Sequence, residues 1–220
     1  MWPWGSGHQA IDPFEGCTSE WLHQLSGSQY TDDTDVQVIL LGKFHYLMTL
    51  CQDISVWVAF GTGKNFTYYH INAVYNDLGS EKSLALPVFH SFTGCDTTSA
   101  FLGQGKKAAW EAWDCFEDVT FAFAYMALHL FTEVSLDADH FKLLERFTVV
   151  MYDKSSELED VNEARRELFC QKGKTMKTIP PTQDALLQHS KRAAYQAGVW
   201  CASVNRLRWR LPVHTTGAGF

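Results

Sequence analysis

The stretch 31–36, TDDTDV, places Asp33 and Asp35 two residues apart, immediately before the apolar run VQVILL. If that run is a strand, side chains at i and i+2 point to the same side. Two carboxylates on one side repel each other unless a cation lies between them. Hard divalent cations such as Mg²⁺ or Mn²⁺ favour these oxygen ligands. The competing reading is structural: Asp32 or Asp33 caps a turn and the other carboxylates are solvated. A second stretch, GCDTTSAFLGQGKKAAW, sets Asp96 in a Gly-containing turn and follows it with Gly103, Gly105, Lys106 and Lys107. Glycines that open a helix leave backbone N–H groups facing outward, a seat for phosphate, and the two lysines add charge beside it. The stretch is not a P-loop, because the G-x-x-x-x-G-K-[ST] spacing is absent. An ordinary glycine-mediated helix connection explains it equally well.

These side chains need elements to position them. VQVILL is β-branched and aliphatic throughout and predicts a strand buried on both faces, with KFHYLMTL helical after it. SVWVAF and FTYYHI flank GTGKN and predict a hairpin. A short helix over 72–78 ends at Gly79. Ser80 caps the next, which carries Glu81 and Lys82 in its first turn and Pro87 near its middle. Beyond Asp96 the pattern predicts a short helical turn at 99–102 and helices over 106–116, 118–132, 137–152 and 162–171. The KTIPPTQ segment reads as an extended linker, and a last helix over 182–200 has Thr182 as its cap. Residues 1–29 read as an irregular lead-in with a short helix at 19–25, 30–135 as the core domain, 136–200 as a helical extension and 201–220 as an irregular tail. The resulting class is α/β with a mainly helical C-terminal half.

Composition narrows the function. With 46% apolar and 14% aromatic residues, the chain is too rich in large side chains for disorder. Six scattered cysteines without a C-x-x-C fit reduced intracellular thiols. The N-terminus lacks the pattern of a signal peptide, and the apolar run 119–131 is too short to span a bilayer, so no membrane partner is expected. The net charge of -7 is uneven: residues 1–164 hold 8 Lys+Arg against 23 Asp+Glu, residues 165–220 hold 10 against 2. A basic C-terminal quarter suits an anionic partner, nucleic acid included, or a solvated helix face; Lys191, Arg192 and Tyr195 are open to both readings. His45, His70 and His90 share no ligand spacing and read as structural. Cys95 reads as filling a small buried space, and Trp110 and Trp113 as core.

Taken together, the D-x-D, the GCD turn and the glycine–lysine hairpin resemble the flap-endonuclease and XPG-type branch of the PIN-like nucleases. The resemblance implies a parallel-sheet PIN-like core, Mg²⁺ or Mn²⁺ held by Asp33, Asp35 and Asp96 as catalytic carboxylates, and DNA phosphate held by Gly103, Gly105, Lys106 and Lys107. The segments DTDVQVIL, ALPVFHSFTGCDTTSAFLGQGKKAAW, LERFTVVMYD, VNEARRELF and PPTQDALLQHSKRAAYQAG also resemble a multicopy family of animal proteins associated with mobile elements. That family places further carboxylates in an H-E-E-A-D-T segment ahead of the D-T-D. Here only Asp12, Glu15 and Glu20 precede the motif, in no matching context. The expectation is therefore an N-terminally truncated copy whose PIN-like core and metal site are incomplete. Its function is expected to be a divalent-metal-dependent nuclease, active or inactive in this copy, placed inside the cell and in the nucleus rather than the cytoplasm. The alternatives are a non-catalytic nucleic-acid-binding or protein-interaction module and a mobile-element fragment without function of its own.

Overall fold

A computed structural model describes residues 33–202, apart from 51–52, 63–64, 172–174 and 176–177. The elements read for 1–29 and for the end of the tail lie outside these residues. Helix α1 (Thr34–Leu50) leads into strands β1 (Trp57–Thr62) and β2 (Asn65–His70). Helices α2 (Ile71–Phe92), α3 (Lys106–Cys115), α4 (Val119–Leu128), α5 (Asp139–Tyr152), α6 (Val161–Cys170) and α7 (Gln183–Ala202) follow. β1 and β2 form an antiparallel hairpin in the register Trp57 to His70 and Thr62 to Asn65.

The PIN-like α/β parallel-sheet core is overturned: the described residues form seven helices and one two-stranded antiparallel sheet. The decisive segment is VQVILL, which is the first half of α1 rather than a buried strand. Its β-branched residues favour a strand locally. Its buried positions, however, are Gln37, Val38, Leu41, Gly42 and Phe44, the spacing of one helix face. That face lies along α2, and tertiary packing outweighs local preference. The helical turn expected at 99–102 is also absent, since 93–105 is an irregular loop. The hairpin and the helices read for the C-terminal half are present with ends shifted by a few residues.

α2 is the central element, packing against α1, α4 and α7. Gly79 (φ 78°) interrupts it, as its sequence position suggests. From its second segment Phe89 and Phe92 enter the core. Phe89 meets Trp110, Trp113, Phe123 and Phe147, and Phe92 meets Phe101, Phe123, Phe147 and His189. Trp110 and Trp113 are thus buried core residues, and each large apolar side chain so placed contributes about 1.5–3 kcal/mol. The C-terminal helices are held by a buried carboxylate. Glu145 of α5 accepts the Val161 N–H at 3.0 Å and the Gln183 side-chain amide at 2.8 Å, tying α5 to the starts of α6 and α7.

α1 and α2 come close where Gly42 faces Pro87. A Cβ on Gly42 would lie 2.4 Å from the Pro87 Cγ. Gly42→Ala should therefore lower unfolding stability by about 1–3 kcal/mol, the usual cost of overpacking. Gly105→Ala, where a Cβ would meet nothing within 4 Å, is the control and should cost only the exchange of a glycine N-cap for alanine, about 0.5–1 kcal/mol. Denaturant midpoints of the two variants check this; equal midpoints would remove the close α1–α2 approach.

Candidate functional site

The loop 93–105 begins where α2 ends, and its first turn is held from within. Gly94 has φ 106°, and a Cβ there would lie 2.8 Å from the Ala100 Cα, so the backbone folds back on itself only with glycine at this position. Cys95 and Thr98 exchange backbone hydrogen bonds at 3.1 and 3.3 Å. The Thr98 hydroxyl is buried; it donates to the Ser91 carbonyl at 2.6 Å and accepts the Cys95 N–H at 3.2 Å. The GCDTT motif is thus a closed turn fastened to the last turn of α2.

Lys106 closes the loop from its other end. Its ammonium donates to the carbonyls of Gly94 at 2.6 Å and His90 at 3.0 Å, and to the Thr93 hydroxyl at 3.1 Å. A cation at a helix C-terminus meets carbonyls that have no intrahelical partner and the negative end of the helix dipole. Burial pulls the Lys106 amine down to about 8, with Cys95 and Asp35 opposing. The loop therefore ends as it begins, on the C-terminus of α2.

The carboxylates arrive from α1. Asp33 sits just before the helix and its Oδ1 accepts the Asp35 N–H at 2.9 Å, an N-cap bond. Asp35, in the first turn, faces the buried His90 of α2, with Oδ1 to Nε2 at 2.7 Å. Burial lifts the Asp35 carboxyl to about 6, helped by the charges of Asp33 and Asp96 and opposed by Lys106. Burial, helped by Lys106, holds His90 down at about 3. The imidazole is therefore neutral and donates its Nε2–H to Asp35, and this bond pins the start of α1 to the end of α2.

The residues singled out from sequence fall into two groups. Asp33, Asp96 and Lys106 come near enough to Asp35 for their charges to act on it. Gly103 (φ 79°), Gly105 and the exposed Lys107 form the approach to α3, with Gly105 as its N-cap residue and no side chain capping that end. A divalent ion, as the resemblance implies, would need the carboxylates as ligands. Among the described residues, no group of three or more His, Cys, Asp or Glu side chains is arranged to hold one. One oxygen of Asp33 serves the helix cap, one of Asp35 is held by His90, and the Lys106 ammonium lies beside them. This donor set does not fit a divalent ion.

His90 is the participant that spacing alone missed. It lies 55 residues from Asp35, and nothing in the local pattern pairs them. The sequence also failed to assemble Ser99, Arg165, His189 and Arg192, which line a cleft at the second half of the loop. Only Arg192 stood out, as part of a basic helix. No helix among the described residues is long and apolar enough to cross a membrane.

Comparison with protein-family models, with curated proteins and with solved structures returns no match for this chain.

Two outcomes follow from the site. Asp35 binds its proton more tightly folded (about 6) than at its ordinary value of 3.8, so its contribution to stability is full below pH ~4 and lost as pH rises through ~6. Asp35→Asn keeps an acceptor for His90 without a charge. It should remove that share of the pH dependence and be more stable than the parent at pH 7.5 by roughly 1 kcal/mol, allowing for partial exposure. Lys106→Met leaves two carbonyls without their cation and should cost about 1–3 kcal/mol. Thermal unfolding from pH 4 to 8 measures both; an Asp35→Asn difference that is constant with pH, or an unaffected Lys106→Met, would contradict this geometry.

Proposed function

We propose that this chain is a nucleic-acid-binding module that holds phosphate without cleaving it. The observation that carries the reading is the commitment of its chemical groups to the fold. Lys106 makes three internal hydrogen bonds, and Asp35 is bonded to a buried, neutral His90. A metal-dependent nuclease would need those carboxylates and that lysine turned towards substrate. What remains for phosphate is the approach to α3. Gly105 offers backbone without a side chain, and Lys107 is exposed one residue inside the helix. The exposed Lys191 of α7 supplies further positive charge on a basic C-terminal part of the chain.

The test is binding of labelled duplex and single-stranded DNA across a salt series, with cleavage followed in Mg²⁺ and Mn²⁺. The expected result is affinity that falls with salt and no product with either ion. Lys107→Ala should reduce the slope of log K against log salt by about one phosphate contact, roughly 0.7–0.9. Mn²⁺-dependent cleavage abolished by Asp96→Asn would overturn the non-catalytic reading, and salt-independent or absent binding would overturn the nucleic-acid partner.

A further inference from the structure

The second half of the loop lines an open cleft of about 310 Å³ that shares none of Gly103, Gly105, Lys106 or Lys107. Its walls come from 99–102, the end of α5, α6, the 179–181 segment and α7. Two guanidinium groups reach it, Arg165 from α6 and Arg192 from α7, and among the described residues no Asp or Glu lines it. In a chain of net charge -7, a concave surface with two cations and no carboxylate is a local reversal of sign. We propose that this cleft binds a phosphate monoester bearing a flat, largely apolar body of about the size of one nucleotide.

The polar groups around the cleft are positioned by the fold. One arm of Arg165 donates to the Pro180 carbonyl at 2.5 Å, which fixes the plane of the guanidinium while using one of its five donors. His189 is buried, and its Nε2 lies 2.6 Å from the Phe92 carbonyl. A carbonyl only accepts, so Nε2 carries the proton and Nδ1 is the acceptor. The Ser99 hydroxyl, 3.3 Å from Nδ1, is the donor to it and can turn to a ligand oxygen. Burial holds His189 below its ordinary value, so this tautomer persists at neutral pH. The remaining walls are apolar: Phe101 packs edge-on against His189 at 4.8 Å, and Ile179 and Pro181 face the same space.

Forked guanidinium groups match the oxygens of phosphate, and two arginines with one hydroxyl favour a dianionic monoester over a single carboxylate. The volume lies at the small end of ligand sites, room for one nucleotide-sized body rather than a duplex.

The probes are adenosine 5′-monophosphate, adenosine, inorganic phosphate and benzoate, titrated calorimetrically into the full chain. The expected result is saturable binding of the monophosphate, about tenfold or more tighter than each of the other three. Arg192→Gln and Ser99→Ala should each weaken it by about three- to tenfold with unchanged circular dichroism, since each removes a charge-assisted hydrogen bond at the mouth of the cleft. Lys107→Ala should leave it unchanged, which separates this site from the proposed DNA contact. Equal binding of adenosine removes the phosphate from recognition, and equal binding of benzoate reassigns the anion. No saturation, or unaltered affinity in both cleft variants, overturns the site.

Discussion

The Lys106 ammonium at the C-terminus of α2 is the interaction on which this part of the molecule depends. A helix ends with carbonyls that have no partner, and here the chain returns 12 residues after Gly94 to supply one. That return fixes the loop 93–105 at both ends and sets where α3 begins. It also places a partly buried positive charge beside Asp35, which moderates the cost of keeping that carboxylate near Asp33 and Asp96. Through Asp35 and His90 the same cluster reaches α1. One cation therefore organises the meeting of three helices.

This explains why the motif order exists on a helical fold without a parallel-sheet PIN-like core. Gly94 is required by a left-handed turn against Ala100, Thr98 by the last turn of α2, and Asp33 by the first turn of α1. Asp35 and Lys106 likewise have structural uses, in the bond to His90 and at the end of α2. Asp33 and Asp96 lie near enough to Asp35 to act on it by charge. Lys106 and His90 lie beside the half-buried Asp35, while Asp33 and Asp96 are exposed.

Much of the helical half was legible because its apolar positions recur at helical spacing and its boundaries carry capping residues. Asp160 accepts the Glu163 N–H at 2.8 Å, and Thr182 accepts the Ala185 N–H at 3.4 Å. The hairpin was legible from its aromatic strands around a glycine turn. The first helix was not. VQVILL has strand-like residues, and only Gln37, Val38, Leu41 and Phe44 read together with α2 reveal the helical face. The D-x-D geometry inferred from a strand fell with it. The Asp35–His90 bond and the arginine cleft were hidden for a different reason. They join residues tens of positions apart, and a single sequence carries no signal for such pairs.

The central claim is that Asp33, Asp35 and Lys106 are committed to the α1 cap, to His90 and to the end of α2, and that with Asp96 they do not form a cation site. Calorimetric titration of Mn²⁺ into the chain and into Asp33→Asn/Asp96→Asn tests it most directly. The account predicts the same weak, unsaturated heats for both proteins, because the double substitution removes no ligand set. Saturable binding in the parent that disappears in the double variant would contradict it and return these carboxylates to a metal site.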